Sequence, residues 1–128
     1  MAAEHLLDRQ FRHYAFVGID GRVWSDRRRE AFCRRIRQSG FEPHVYRAPT
    51  NKRDRAWEYE QPVLADWLQA LPKPVGLMAC NDDRGREVLE ACRAAEIRVP
   101  EDVAVIGVDN DELLCDLADP PLSSVALN

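Results

Sequence analysis

The sequence predicts one α/β domain: a five-stranded parallel sheet in the flavodoxin-like order 2-1-3-4-5, wound on both faces by helices. Three observations predict it. Val75–Cys80 (VGLMAC) and Val103–Val108 (VAVIGV) are uncharged apolar runs of buried-strand length. Between them Gly85, Val88, Leu89 and Cys92 recur at i, i+3, i+4 and i+7, one face of a helix. Strand, helix, strand of this length is a βαβ unit with parallel strands. Each run also stops abruptly in polar residues, Asn81-Asp82-Asp83 and Asp109-Asn110-Asp111. Parallel strands end on the same edge, so these groups gather where open α/β sheets bind ligands.

The elements follow in chain order. Ala2–Arg9 is short and helix-compatible, with Leu6 and Leu7 available for burial. Tyr14–Val17 is the first strand, stopped by Gly18, and Gly18-Ile-Asp-Gly21 is a loop at its carboxyl end. A helix follows, opened by Ser25 or Asp26 as N-cap and closed at Gly40. Phe32 and Ile36 form its buried stripe, and four residues back on that face lies Arg28, which should lean over the strand ends. The bland alternative is a solvated arginine among Arg27, Arg29, Arg34, Arg35 and Arg37.

His44–Tyr46 reads as a brief second strand, and Ala48–Arg55 as a polar surface loop. Its Lys52, Arg53 and Arg55 read as a solvated run rather than a phosphate contact. Val63, Leu64, Trp67, Leu68 and Leu71 fit an amphipathic helix closed by Pro72 and Pro74. Val75–Cys80 is the third strand, Arg84–Ala95 the next helix, and Ile97–Pro100 the turn into the fourth strand. Glu112–Leu117 is a short helical stretch, Asp119-Pro-Pro121 a break, and Leu122–Leu127 the last strand.

Composition narrows the class. A chain of 128 residues suits one core, and 45% apolar with 31% charged residues is ordinary for a soluble globular protein. No apolar run approaches the roughly 18 residues that span a bilayer, and MAAEHLLDRQ has no signal-peptide core. A net charge of −4 speaks against the whole domain being a nucleic-acid footprint. The four cysteines, Cys33, Cys80, Cys92 and Cys115, form no CxxC pair or zinc spacing. A reduced cytoplasmic protein without membrane contact is expected.

The polar rim holds Asp20, Arg28, Asn81, Asp82, Asp109 and Asn110. Carboxylates accept hydroxyl protons, asparagine donates and accepts, and arginine donates from a planar fork, a mixture suited to a neutral polyhydroxylated ligand. Trp24 could lay its flat face on the C–H side of a sugar ring, or simply pack at the helix start. One of Asp82 and Asp83 should cap the helix that they open. There is no GxGxxG, P-loop or GxSxG at a strand–helix junction. None of His5, His13 and His44 falls at a strand carboxyl end. No catalytic residue, metal ligand or cofactor is therefore expected, and the chain is not read as an enzyme.

With those residues in place, the chain resembles the sugar-sensing domain of the lactose/galactose-repressor family, which has the periplasmic-binding-protein fold. Ala3–Gly18 resembles the family's helix and strand ending in glycine, and Arg28 with Phe32 its arginine before an aromatic. Ala79-Cys80-Asn81-Asp82 followed by Gly85 resembles its Asn-Asp helix start. Val99-Pro100 through Asp109-Asn110 resembles its Val-Pro-x-Asp-Val-x-Val-x-Gly-x-Asp-Asp run, and Pro120–Val125 its Pro-Pro-Leu-Thr-Thr-Val. Trp24, Ala65–Pro72 and Val105–Leu113 resemble most closely the family's xylose-responsive regulators.

The resemblance implies that Arg28, Asn81 and Asp109 contact a sugar, with Asp82 and Trp24 as further candidates. The effector would be a monosaccharide, a pentose and first of all xylose. It implies that residues 1–128 form one lobe, the C-terminal one, of a two-lobed effector domain. DNA contact would belong to a separate helix-turn-helix domain, and the full-length protein would be a homodimer. The competing readings are weaker. A phospho-receiver domain shares length and fold class, but it needs an acidic pair at the first strand end, where Gly18 stands, and a late Lys-Pro. A small enzyme using Asp82 and Asp109 lacks a nucleophile or metal set.

Overall fold

The computed structural model describes residues 2–51, 53, 55–108 and 123–125. The chain runs α1 (Ala2–Asp8), β1 (His13–Val17), α2 (Val23–Gln38), β2 (His44–Val45), α3 (Trp57–Ala70), β3 (Val75–Ala79), α4 (Asp82–Ala94), β4 (Val103–Val108) and β5 (Ser123–Val125). The strands form one parallel sheet in the order β2-β1-β3-β4-β5, as the sequence predicts. The register pairs Val17 with Ala79 and Met78 with Ile106, so the carboxyl ends of β1, β3 and β4 finish side by side.

Alternation along β1 builds two cores. Ala15 and Val17 face α3 and α4, packing with Leu77, Val103, Leu64, Leu68, Val88 and Cys92. Tyr14 and Phe16 face α1 and α2, packing with Leu6, Phe32, Ile36, Met78 and Ile106. Burying each large apolar side chain contributes about 1.5–3 kcal/mol. Phe32 and Ile36 thus decide where α2 sits, against helix propensities worth only tenths of that.

Three boundaries depart from expectation. α2 begins at Val23, with Arg22 in the N-cap position and no side-chain cap. Ser25, expected as that cap, is instead buried and its Oγ accepts from the Ile19 N–H at 2.9 Å. Gly40, at φ +91°, does end the helix as expected, in a conformation that other residues rarely adopt. α3 begins at Trp57, well before Val63, and carries Pro62 inside it. At its other end the Lys73 ammonium donates to the carbonyls of Leu68, Gln69 and Leu71 at 3.0, 2.7 and 2.9 Å, a cationic cap. α4 is capped by Asn81, whose Oδ1 accepts from the Arg84 N–H at 2.8 Å; neither Asp82 nor Asp83 is the cap. The expectations for Asp109, Asn110, Glu112–Leu117 and Asp119–Pro121 lie outside the described residues.

Candidate functional site

The site is built where β1 and β3 end. The Cys80 N–H donates to the Val17 carbonyl at 3.0 Å, holding the two ends in line. Gly18 follows, and space there is tight: a Cβ would come within 2.6 Å of both Phe16 Cε1 and Ser25 Oγ. The loop therefore turns straight into α2, and Ser25 fastens its first turn to Ile19.

One turn on, Arg28 stands where the face rule placed it. It is half-buried, its Nη1 donates to the Cys80 carbonyl at 2.5 Å, and its guanidinium lies 5.2 Å from the Trp24 ring centroid. Trp24 is 41% exposed, with Ile19 and Val23 exposed beside it. A donor fork beside an open indole offers both things a sugar needs: directional hydrogen bonds and a flat apolar face.

The other predicted residues divide. Asn81 adjoins Cys80 and is only half-buried, but its Oδ1 is engaged in capping α4. Asp82 is 2% exposed in the first turn of α4. Asp20 ties loops together: its Oδ2 accepts from the Ala48 N–H at 3.3 Å, and its Oδ1 lies 3.5 Å from Arg47 and 3.9 Å from Arg29. Asp109 lies outside the described residues.

Sequence reading missed the strongest polar feature. Arg84 and Glu60 are 4% and 5% exposed and form a bidentate pair, Nη2 to Oε2 at 2.7 Å and Nη1 to Oε1 at 2.9 Å. Arg84 Nε also donates to the Gly18 carbonyl at 3.1 Å, and Nη1 to Glu87 at 3.1 Å. The Tyr46 hydroxyl donates to Glu60 Oε2 at 3.0 Å. Burial, then the adjacent Glu60 charge, push the Tyr46 phenol well above its ordinary value. Burial works against the Arg84 charge, but the hydrogen bonds and charge of Glu60 outweigh it and keep the guanidinium protonated. Burial raises the Glu87 carboxyl despite the pull of Arg84. One signal was available: Arg84 stands four residues before Val88, the spacing that placed Arg28 before Phe32.

A cleft of about 460 Å³ opens over this network, lined by Asp20, Thr50, Arg55, Glu60, Arg84 and Glu87. No cluster of His, Cys, Asp and Glu among the described residues could hold a metal ion. Among the same residues no helix is long and apolar enough to cross a membrane.

The model of the periplasmic binding protein-like domain matches residues 3–128. The xylose operon regulatory protein of Escherichia coli strain K12 is 38% identical over 129 residues, covering 95% of this chain and 32% of its own length. The solved structure of the xylose-binding transcription activator xylR superposes with a TM-score of 0.83 at 38% identity, covering 98% of this chain and 33% of that one. A LacI family transcriptional regulator from Arthrobacter sp. FB24, solved in complex with lactose, gives 0.75 at 29% identity, covering 99% of this chain and 46% of that one. The chain thus spans about one third of the length of the xylose regulators it matches.

Proposed function

The chain belongs to the periplasmic binding protein-like domain family, and on that premise we propose that it is a sugar-sensing lobe of a bacterial transcription regulator. One observation carries the reading: Arg28, held over the end of β3, lies over the ring of Trp24, which is still 41% exposed. That pairing suits a neutral sugar better than a phosphate, which would call for several unengaged donors. The regulators and the lactose complex among the relatives support a sugar as effector.

In this reading the lobe is the C-terminal half of the effector domain, and the sugar lies on the carboxyl edge of the sheet. Arg28 donates to ring hydroxyls, Trp24 covers the C–H face, and Asn81 donates through the amide that its cap leaves over. Asp109 accepts from the fourth strand's end, with Asp82 as a further candidate. The effector is a pentose, xylose first. The lobe does no chemistry on its ligand. The whole protein works in the cytoplasm as a homodimer, and a separate domain reads the DNA.

The test is a thermal-shift panel of pentoses and hexoses on the intact regulator, followed by calorimetry. Xylose should give the largest shift. The isolated lobe should bind it at millimolar strength at best, about 4 kcal/mol, because one lobe leaves the sugar partly hydrated. No shift with any sugar refutes the reading, and micromolar binding by the lobe alone refutes the one-lobe account.

A further inference from the structure

The hydrogen bonds around the strand ends close into a ring. Arg84 Nε donates to the Gly18 carbonyl at 3.1 Å. The next peptide N–H, that of Ile19, donates to Ser25 Oγ at 2.9 Å in the first turn of α2. One turn along α2, Arg28 donates to the Cys80 carbonyl at 2.5 Å. The next residue, Asn81, returns to the Arg84 N–H at 2.8 Å. The ring thus joins β1, α2, β3 and α4, and it includes the guanidinium proposed to grip the sugar.

From this we infer that Arg84 is a positioning residue for ligand recognition: anchored on Glu60, it holds the Gly18 loop and so fixes the attitude of Arg28 and Trp24. The inference rests on the sugar-sensing reading for its ligand, but not for its mechanics. Arg84 borders the cleft but has its donors engaged within the protein. It is 4% exposed, and its guanidinium is taken up by Gly18, Glu60 and Glu87. Glu60 is held in turn by the Tyr46 hydroxyl at 3.0 Å, and the Tyr46 ring lies under the Arg84 guanidinium at 5.6 Å. An arginine is needed here. Its planar fork binds a carboxylate bidentately and still offers Nε elsewhere, which a lysine ammonium cannot match in that geometry.

A purely structural ion pair makes a different prediction. Replacing a buried pair by apolar residues of similar volume is often neutral for stability. The variant Y46F/E60L/R84M therefore removes the anchor while keeping the space filled. R84K is the second variant: it keeps a positive charge beside Glu60 but gives up the tie to Gly18. Both are made in the 128-residue chain, labelled with ¹⁵N, and titrated with xylose by NMR. Three quantities are read: the melting temperature, the order parameter of the Arg28 Nε–H bond, and the xylose Kd.

The expected result is cooperative melting in both variants, an Arg28 order parameter falling below about 0.6, and xylose binding weakened about ten-fold. An Arg28 signal as ordered as in the parent chain, with a Kd within two-fold, overturns the inference. If the triple variant does not fold, R84K alone decides by the same two readouts. If the parent chain and the intact regulator bind no sugar, the sugar-sensing reading fails, and the order of Arg28 still decides whether Arg84 positions it.

Discussion

Replacing Gly18 by alanine tests how closely the rim is packed. The added Cβ would sit 2.6 Å from Phe16 Cε1 and 2.6 Å from Ser25 Oγ, a full ångström inside ordinary contact. Neither neighbour has room to yield. Phe16 is 1% exposed and wedged against Phe32, and Ser25 is 1% exposed and bonded to the Ile19 N–H. Overpacking of this kind costs about 1–3 kcal/mol, and pushing Ser25 aside sacrifices a buried hydrogen bond worth about 1 kcal/mol more. The sum is about 3 kcal/mol. At about 2.1 cal/mol/K per residue, 128 residues have an unfolding entropy near 270 cal/mol/K, so the melting point should fall by about 10 °C. Gly21→Ala is the control. It has open space for a Cβ but sits at φ +86°, so it should cost only about 1 kcal/mol through the backbone. Scanning calorimetry on both variants decides. If Gly18→Ala melts within 2 °C of the parent, or above Gly21→Ala, the rim is not packed as described.

Other outcomes are equally specific. Arg28→Ala should lower stability as well as weaken xylose binding ten- to a hundred-fold, because the guanidinium also bonds the Cys80 carbonyl and stacks on Trp24; a loss of about 1–3 kcal/mol in thermal melts is expected. Asn81→Ala removes the cap of α4 and should cost about 1 kcal/mol, whereas Asp83→Ala should cost less; equal losses would put the cap elsewhere. Burial pushes the Cys92 thiol up to about 12, so above pH 9 the unfolded chain loses a proton that the folded chain keeps. Cys92 should therefore lower stability as pH rises from 9 towards 12, by up to about 1.4 kcal/mol per unit, and Cys92→Ala should make the slope shallower by that amount in denaturant titrations, the raised Cys33 and Cys80 thiols accounting for part of the remainder.

Much of the architecture was legible because it rests on period and length. VGLMAC and VAVIGV have the length and composition of buried strands, and Val88, Leu89 and Cys92 of the helical stripe pack against them. Arg28 was legible for the same reason, as a polar residue in register with Phe32. What stayed hidden depends on partners far apart in sequence. The apolar stripe traces the third helix only from Val63, yet α3 begins at Trp57, and its Glu60 meets Arg84 across 24 residues. Ser25 looks like a cap by residue preference, but its hydroxyl is claimed by Ile19. With Asn81, Asp82 and Asp83 in a row, preference alone could not choose the cap, and the backbone chose Asn81, extended at φ −156° and ψ 178°.

The brevity of β2 has a consequence for how the molecule behaves in company. Two residues at the margin of the sheet amount to about 7 Å of strand, against the 17–20 Å of an ordinary one. A foreign segment laid along that margin would find little more than one rung before reaching a charged flank. Arg37 and Glu42 pair there at 3.0 Å, and Arg47 stands mostly exposed beyond Tyr46. Bare, long margins invite strands from other chains and seed fibres. A stub bounded by charges gives such growth no template, so crowding on this side should leave the molecules apart as separate particles.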